Sequence, residues 1–123
     1  MGREFVLALG ADRLIRWTHT GYEGLAEEAW MAVKRSLSDA DEDALLFRSV
    51  LASGEGNREG EEILNLSVPT FSATFRLVAE DWEDVVAGVY RYAFKVRFAD
   101  GTVVSPVRGS GVVRVVPAGV EAG

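Results

Sequence analysis

The chain has 123 residues, a length typical of one domain, and 48% of them are hydrophobic, which is enough to fill a single core. Its 13 basic and 19 acidic residues give a formal net charge of −6, which argues against nucleic acid and against anionic membrane surfaces as partners. The absence of cysteine excludes disulfides, thiolate metal sites and cysteine nucleophiles. We also expect no signal peptide, because the apolar stretch before Gly10 is short, and no membrane span, which needs ~20 apolar residues.

The first half of the chain alternates with period two, which predicts strands rather than helices. The predicted strands are residues 4–9, 14–20, 29–37 and 44–52. The segment 22–28 is predicted to be a loop or one helical turn, although it contains good helix formers. The acidic turn 39–43 joins the last two of these strands, so we expect them to form a hairpin.

The second half predicts a polar, mobile loop at 53–62 and strands at 63–68 and 71–77. One short helical turn is expected within 80–87, where Trp82 and Val85 would cover the end of the core. The last predicted strand is 112–116, and the residues after it, 118–123, are expected to form a flexible tail.

Residues 90–98 give the clearest strand signal in the chain. One face carries only large apolar or aromatic residues, which are Tyr90, Tyr92, Phe94, Val96 and Phe98. Asp100-Gly101 follows directly, and this dipeptide predicts a hairpin turn because both positions tolerate positive φ. The return strand is expected to start at Thr102, with Pro106 marking an edge or a bulge.

Together these elements predict an all-β fold, an antiparallel β-sandwich or small barrel of seven to eight strands with one short helical turn. Residues 1–117 are expected to form this single domain.

Catalytic residue patterns are weak. His19 is the only histidine, and the chain has no G-x-S-x-G motif that would place a nucleophile beside it. We expect His19 to be a partly exposed strand residue. The carboxylates Asp81, Glu83 and Asp84 are expected to be exposed on their turn, where they could not act as a general acid–base pair. The sequence therefore predicts a protein that is not an enzyme and needs no cofactor.

The acidic turn resembles the start of a calcium-binding loop, because Asp39, Asp41 and Asp43 form D-x-D-x-D. A twelve-residue calcium loop also needs glycine at its sixth position and glutamate at its twelfth, where this chain has Ala44 and Val50. We therefore interpret the turn as solvated, and calcium stays an open alternative.

Part of the C-terminal half resembles a motif of tailed-phage virion proteins, in which a short turn leads into G-x-Y-x-Y, an alternating strand and D-G. The matching residues are Asp84, Val86, Gly88, Tyr90, Tyr92, Phe94, Val96, Asp100 and Gly101. Segments 12–17 and 29–46 resemble the opening and the first hairpin of the same family. The family is the immunoglobulin-like domain of phage baseplate upper proteins and related tail or head proteins, and the resemblance covers roughly residues 4–117.

This resemblance implies an immunoglobulin-like sandwich that serves as a non-enzymatic structural subunit of a bacteriophage tail, baseplate, neck or capsid. It implies a protein made in the host cytoplasm and assembled into the virion, with other virion subunits or further copies of itself as partners. The surface expected to dock is an edge formed by the last strand. The residues of this predicted edge are Val112, Val113, Arg114, Val115 and Val116.

The alternative function is a carbohydrate- or peptide-binding module on the same sandwich. Such a module needs aromatic side chains on its surface, and Trp30 and Trp82 are the candidates for exposed aromatics. Most of the other aromatic residues fit the core faces of strands.

Overall fold

The computed structural model describes residues 4–21, 24–67, 69–105 and 110–117. This part of the chain is all-β, with nine strands and two 3₁₀ turns, Asp41–Asp43 and Ala79–Trp82. The strands are β1 (Glu4–Ala8), β2 (Arg13–Thr20), β3 (Ala26–Lys34), β4 (Leu46–Leu51), β5 (Glu62–Ser67), β6 (Thr70–Leu77), β7 (Gly88–Phe98), β8 (Val103–Val104) and β9 (Ser110–Val116).

The strands form two sheets. The larger sheet has the order β1-β9-β7-β3-β4, with β8 paired to β7, and curls into a half-barrel; the smaller has the order β2-β6-β5. Their inner faces enclose one core, in which Trp17 of β2 stacks on Phe94 of β7 with ring centroids 5.0 Å apart. The all-β prediction is confirmed at this level.

Two details of the predicted architecture are wrong. The described residues form nine strands rather than seven or eight, and the larger sheet is mixed because β1 runs parallel to β9. Alternation of apolar residues reports that a strand has a buried face but carries no information about the direction of its neighbour. The parallel pair therefore leaves no trace in the sequence.

Strand β7 confirms the clearest sequence prediction. The predicted inward residues are all buried, and they are Tyr90, Tyr92, Phe94, Val96 and Phe98. The turn after it also forms, with the amide of Gly101 donating to the carbonyl of Phe98 at 2.9 Å. Only the glycine has positive φ (89°), so the loop between Phe98 and Thr102 has three residues with Gly101 as its left-handed position.

Strand β3 starts at Ala26, within the segment predicted to be a loop or a helical turn. Its pairing with β7 shifts register between Ala26 and Glu28, which is a β-bulge. The bulge buries Ala26 and Ala29, three residues apart, and this spacing imitates one turn of a helix in the sequence. The side-chain amide of Asn65 on β5 accepts a hydrogen bond from the Ala26 amide at 2.8 Å, at the start of the strand.

The predicted docking edge is wrong. Strand β9 lies inside the larger sheet, paired with β1 on one side and with β7 on the other. Val113 and Val115 point into the core, whereas Arg114 is exposed on the outer face. Strand β9 has no free edge because β1 pairs with its second side. The sequence of 112–116 does not indicate this pairing, because β1 lies about 100 residues earlier in the chain.

The loop between β4 and β5 is anchored, although its polar composition predicted mobility. The side chain of Asn57 accepts from the amide of Leu51 at 2.9 Å and donates to the Leu51 carbonyl at 2.8 Å. Arg48 of β4 donates to the side chain of Glu61, whose carboxylate is completely buried. The loop thus lies along the free side of β4 and covers that edge.

A second set of charged contacts fixes the turn Ala79–Trp82 to the same loop. Arg58 donates both terminal nitrogens to Asp81, at 2.7 and 2.9 Å, and Asp81 also accepts from the amide of Val78 at 2.8 Å. Asp81 is therefore a structural partner rather than an exposed carboxylate. The predictions for Pro106 and for the tail 118–123 lie outside the described residues.

Candidate functional site

The outer face of the larger sheet carries a cleft of about 220 Å³, here called the outer-face cleft. It lies on the side of the sheet that faces away from the core. Its principal lining residues are Trp30, Ala32, Lys34, Leu37, Asp41, Phe47, Ala93, Lys95, Ser105 and Ser110.

The floor of the cleft follows from strand pairing. Ala32 of β3 lies directly between Ala93 of β7 and Phe47 of β4 in the register of the sheet. Because alternate side chains of a strand point to one face, these residues share the outer face, and the two alanines leave a depression between larger neighbours.

The walls of the cleft are apolar and aromatic. Phe47 is 45% exposed and Leu37 is 44% exposed, although both are large hydrophobic residues. Trp30 is partly exposed, and the Lys95 ammonium lies 5.6 Å from the centroid of its ring, within the range of a cation–π contact. Exposed aromatic and aliphatic side chains grouped in a concave site are typical of a binding surface.

Asp41 closes one side of the cleft and links three elements. Its carboxylate accepts from Lys34 of β3 at 2.7 Å and from Lys95 of β7 at 2.9 Å. Lys34 also donates to the backbone carbonyl of Asp39 at 2.9 Å, so the β3–β4 connection is folded over the outer face. The hydrogen bonds from Lys34 and then Lys95 hold the pKa of Asp41 below its usual value.

These contacts bear on the calcium alternative. Each carboxylate oxygen of Asp41 already accepts from a lysine ammonium, and a carboxylate oxygen of Asp39 accepts from the amide of Ser36 at 3.3 Å. Within the described residues, no group of three or more histidine, aspartate or glutamate side chains could hold a metal ion. The geometry of the turn thus gives no support to calcium binding.

The two predicted surface tryptophans have different positions. Trp30 lies in the wall of the cleft. Trp82 is only 5% exposed and donates its indole N–H to the carbonyl of Ala11 at 3.1 Å, so its prediction as an exposed aromatic is wrong. It covers the end of the core together with Val85, as the pattern of the turn predicted.

His19 lies on the smaller sheet, away from the lining of the cleft. It is half-buried on β2, with its ring centroid 5.6 Å from that of Trp17 and 5.8 Å from that of Phe71. Burial lowers the pKa of His19 from its usual value, because the charged form loses hydration. Its position agrees with the prediction of a partly exposed strand residue.

Sequence reasoning missed most of the cleft. The sequence places Phe47, Lys34 and Lys95 within predicted strands, and it places Asp41 in a solvated turn with calcium binding as the alternative. One signal was available, because Trp30, Ala32 and Lys34 alternate along β3 and therefore share its outer face. The partners from β4 and β7 could not be found without the register of the sheet.

Within the described residues, no helix is long and apolar enough to cross a lipid bilayer. The chain matches no protein-family model, and no curated protein matches its sequence.

Proposed function

We propose that this chain is a non-enzymatic structural subunit of a tailed-bacteriophage particle, and that it docks on a neighbouring protein through the outer-face cleft. The observation that carries the docking role is the exposure of Phe47 and Leu37 beside Trp30, in a site bordered by lysines. Protein interfaces are enriched in aromatic side chains that become buried on binding, and Trp30 and Phe47 are side chains of this type.

The size of the cleft favours a protein side chain as its occupant. Pockets for small molecules usually measure ~300–1,000 Å³, and about 220 Å³ lies below that range. A carbohydrate ring would stack on an open aromatic face, but the Lys95 ammonium already lies over the Trp30 ring. We therefore propose an apolar side chain of a partner protein, and not a sugar, as the group that enters the cleft.

We further propose that the two sheets form an immunoglobulin-like sandwich. Two observations support this. The Tyr90 hydroxyl donates to the carbonyl of Val86 at 2.7 Å, which is the contact of a tyrosine corner. The smaller sheet, β2-β6-β5, and the adjacent strands β9, β7 and β3 have the strand orders expected for the two sheets of such a sandwich.

The assignment to a phage particle rests on the resemblance of 84–101 to virion proteins, in which Tyr90 is one of the matching residues. If this is so, tailed particles from a host that carries this gene should contain the chain. The particles are purified on a density gradient, and their proteins are identified by mass spectrometry. Absence of the chain from such particles would contradict the virion role.

The docking surface is tested with two matched serine variants. Phe47→Ser removes an exposed apolar side chain from the cleft, and Leu66→Ser removes one that is 58% exposed on β5 of the other sheet. In a host that lacks the wild-type gene, particles should incorporate the Leu66→Ser protein but not the Phe47→Ser protein. Circular dichroism of both purified variants controls for folding, and equal incorporation of the two would exclude the cleft as the docking surface.

A further inference from the structure

Strand β2 lies at one end of the smaller sheet, and β6 is its only partner among the described strands. Its pairing with β6 runs from Arg13 to Thr20 without a register shift. Of the described strands that have an unpaired side, β2 is the longest, with eight residues. The unpaired side of such a strand presents a row of N–H and C=O groups that can pair with another strand.

One hydrogen bond beyond the strand fixes the direction of these backbone groups. The amide of Gly21 donates to the carbonyl of Pro69 at 3.2 Å and continues the register of β2 and β6. Hydrogen-bonded pairs alternate with non-hydrogen-bonded pairs along an antiparallel ladder, so the odd-numbered residues of β2 bond to β6. The backbone groups of the even-numbered residues point away from β6. These residues are Leu14, Arg16, Thr18 and Thr20, here called the β2 edge.

A contact on the opposite side of β6 agrees with this assignment. Arg76 of β6 lies opposite Leu14, and its amide donates at 2.8 Å to Glu61, the residue before β5. An amide that points towards β5 does not bond to Leu14, so Leu14 belongs to the outward set. No hydrogen bond joins the backbone groups of the β2 edge to any residue that the structure describes.

The other unpaired strand sides are less available. On β1, the carbonyls of Val6 and Ala8 already accept hydrogen bonds from a guanidinium and from an amide of the following turn. On β4, the side chain of Asn57 occupies both backbone groups of Leu51. The ladder between β5 and β6 shifts register near the end of β5. The β2 edge is thus the longest regular run of open backbone groups in the described chain, and its best match in a second copy is the same edge.

We propose that the β2 edge pairs with the β2 edge of a second copy of this chain, antiparallel about a two-fold axis beside Trp17. In this register Leu14 lies opposite Thr20 of the second copy, and Arg16 lies opposite its Thr18. All four residues of each edge are then paired, and each outward N–H meets an outward C=O. No like charges lie directly opposite each other. The two three-stranded sheets become one continuous sheet.

This pairing goes beyond the proposed function, because it uses the smaller sheet and leaves the outer-face cleft of each copy open. The same edge contributes from both copies, so the contact closes at two copies. The dimer carries two clefts, and docking of one raises the effective concentration of the other at its target. Stable interfaces bury ~1,200–2,000 Å² in total, and one pair of edges is smaller, so we expect weak association in dilute solution.

The first test is sedimentation equilibrium of the purified chain between about 10 μM and about 1 mM, a range that covers weak association. The weight-average mass should rise with concentration from the 13.4 kDa of one chain towards twice that value, and no further. Phe47→Ser should associate like the wild type, because the cleft is not used. A mass of 13.4 kDa at every concentration overturns the pairing, and so does loss of association in Phe47→Ser.

Amide hydrogen exchange measured by NMR locates the contact. Exchange is compared between about 50 μM and about 1 mM. The amides of the β2 edge should exchange more slowly at the higher concentration, because pairing occupies them. The amides of Ile15, Trp17 and His19 are bonded to β6 in each copy and should be unchanged, which makes them the internal control. Association without slower exchange at the β2 edge would overturn the inference.

Charge variants at one exposed position test both the register and the identity of the partner. Thr18→Glu places a carboxylate opposite Arg16 of the second copy, whereas Thr18→Lys places a like charge there. The two-fold axis repeats each pair, so the dissociation constant of the Glu variant should be about tenfold lower than that of the Lys variant. Equal dissociation constants for the two variants would refute this pairing.

A proline variant removes a donor of the β2 edge. The N–H of Thr18 points away from β6, so Thr18→Pro deletes no bond of the β2–β6 ladder, and it should stay monomeric up to about 1 mM. Thr18→Ala keeps the N–H and should associate like the wild type. Association of a folded Thr18→Pro protein at wild-type strength would overturn the inference. If circular dichroism shows that Thr18→Pro does not fold, the two charge variants decide in its place.

Discussion

At the scale of single residues, Glu61 is a buried carboxylate that several hydrogen-bond donors contact. Its side chain is completely buried, and it accepts hydrogen bonds from Arg48 and from the amides of Arg58 and Arg76, at 2.6 and 2.8 Å respectively. Burial by itself would raise the pKa of Glu61, but the bonds from Arg48 and from the two amides outweigh it and lower the pKa. The carboxylate thus stays ionised and joins β4, the loop and β6.

Replacement of this carboxylate should be costly. Glu61→Gln keeps the side-chain volume but removes the negative charge that balances Arg48. It also places the NH₂ group of the new side chain against Arg48 and the two backbone amides, which are themselves donors. We expect a loss of roughly 2–4 kcal/mol in the free energy of unfolding, measured by urea denaturation, because breaking a buried pair leaves a buried charge unbalanced. Glu59→Gln in the same loop is the control and should change stability by less than ~0.5 kcal/mol. Equal unfolding midpoints for the two variants would refute the structural role of Glu61.

At the scale of elements, the loop between β4 and β5 covers the free edge of β4, where a neighbouring strand would otherwise pair. The amide side chain of Asn57 offers Leu51 one acceptor and one donor, as the backbone of a neighbouring strand would. Asn65 makes the equivalent pair of contacts with Ala26 at the start of β3, at 2.8 and 3.3 Å. These two asparagines satisfy backbone groups that have no partner in a neighbouring strand.

Removal of the first of these side chains should loosen the edge. Asn57→Ala leaves the amide and the carbonyl of Leu51 without their partner, and we expect a loss of about 1–2 kcal/mol in the free energy of unfolding. Hydrogen–deuterium exchange should show faster exchange at Leu51 and in the loop 53–61. The matched control is Glu55→Ala, which changes an exposed residue of the same loop. Unchanged exchange at Leu51 in the Asn57→Ala protein would contradict the role of Asn57.

At the scale of the whole molecule, ionised carboxylates connect the separate elements. Glu61, Asp81, Asp41 and Asp12 all have lowered pKa values, and each is paired with a cationic side chain. A folded-state pKa below the unfolded value of ~3.9 for Asp or ~4.3 for Glu means that the unfolded chain binds protons first as the pH falls. The stability from these pairs is present above that range and is lost towards acid.

The pH dependence of one pair can be isolated. The free energy of unfolding of the wild type should fall progressively as the pH is lowered from about 5 to about 3. Burial would raise the pKa of Asp81, but its bonds from Arg58 and from the amide of Val78 lower it. Asp81→Asn, although less stable at neutral pH, should therefore lose less stability over this interval than the wild type. The control is Asp84→Asn, which changes an exposed carboxylate without an ion pair among the described residues and should follow the wild-type curve. If the stability of Asp81→Asn falls with pH as steeply as that of the wild type, the Arg58–Asp81 pair is not the source of this pH dependence.

The strand content was predictable because period-two alternation depends only on neighbours in the chain. The inward residues of β7 are predicted in this way. The turn at Gly101 is predicted from the Asp-Gly dipeptide, and the coverage of the core by Trp82 and Val85 from the expected helical turn within 80–87. The bulge at the start of β3 was missed, because an extra residue in one strand breaks the local period and imitates a helical spacing.

The sequence by itself determined that the chain is rich in strands and which faces of most strands are apolar. Only the tertiary structure decided that β9 is interior, that β1 is parallel to it, and that Phe47 and Lys95 meet Trp30 at one cleft. The physical reason is that a side chain's face is set by its own backbone, whereas its neighbours are set by pairing between residues far apart in the chain. The site consists of such neighbours, and it exists only once the larger sheet has formed.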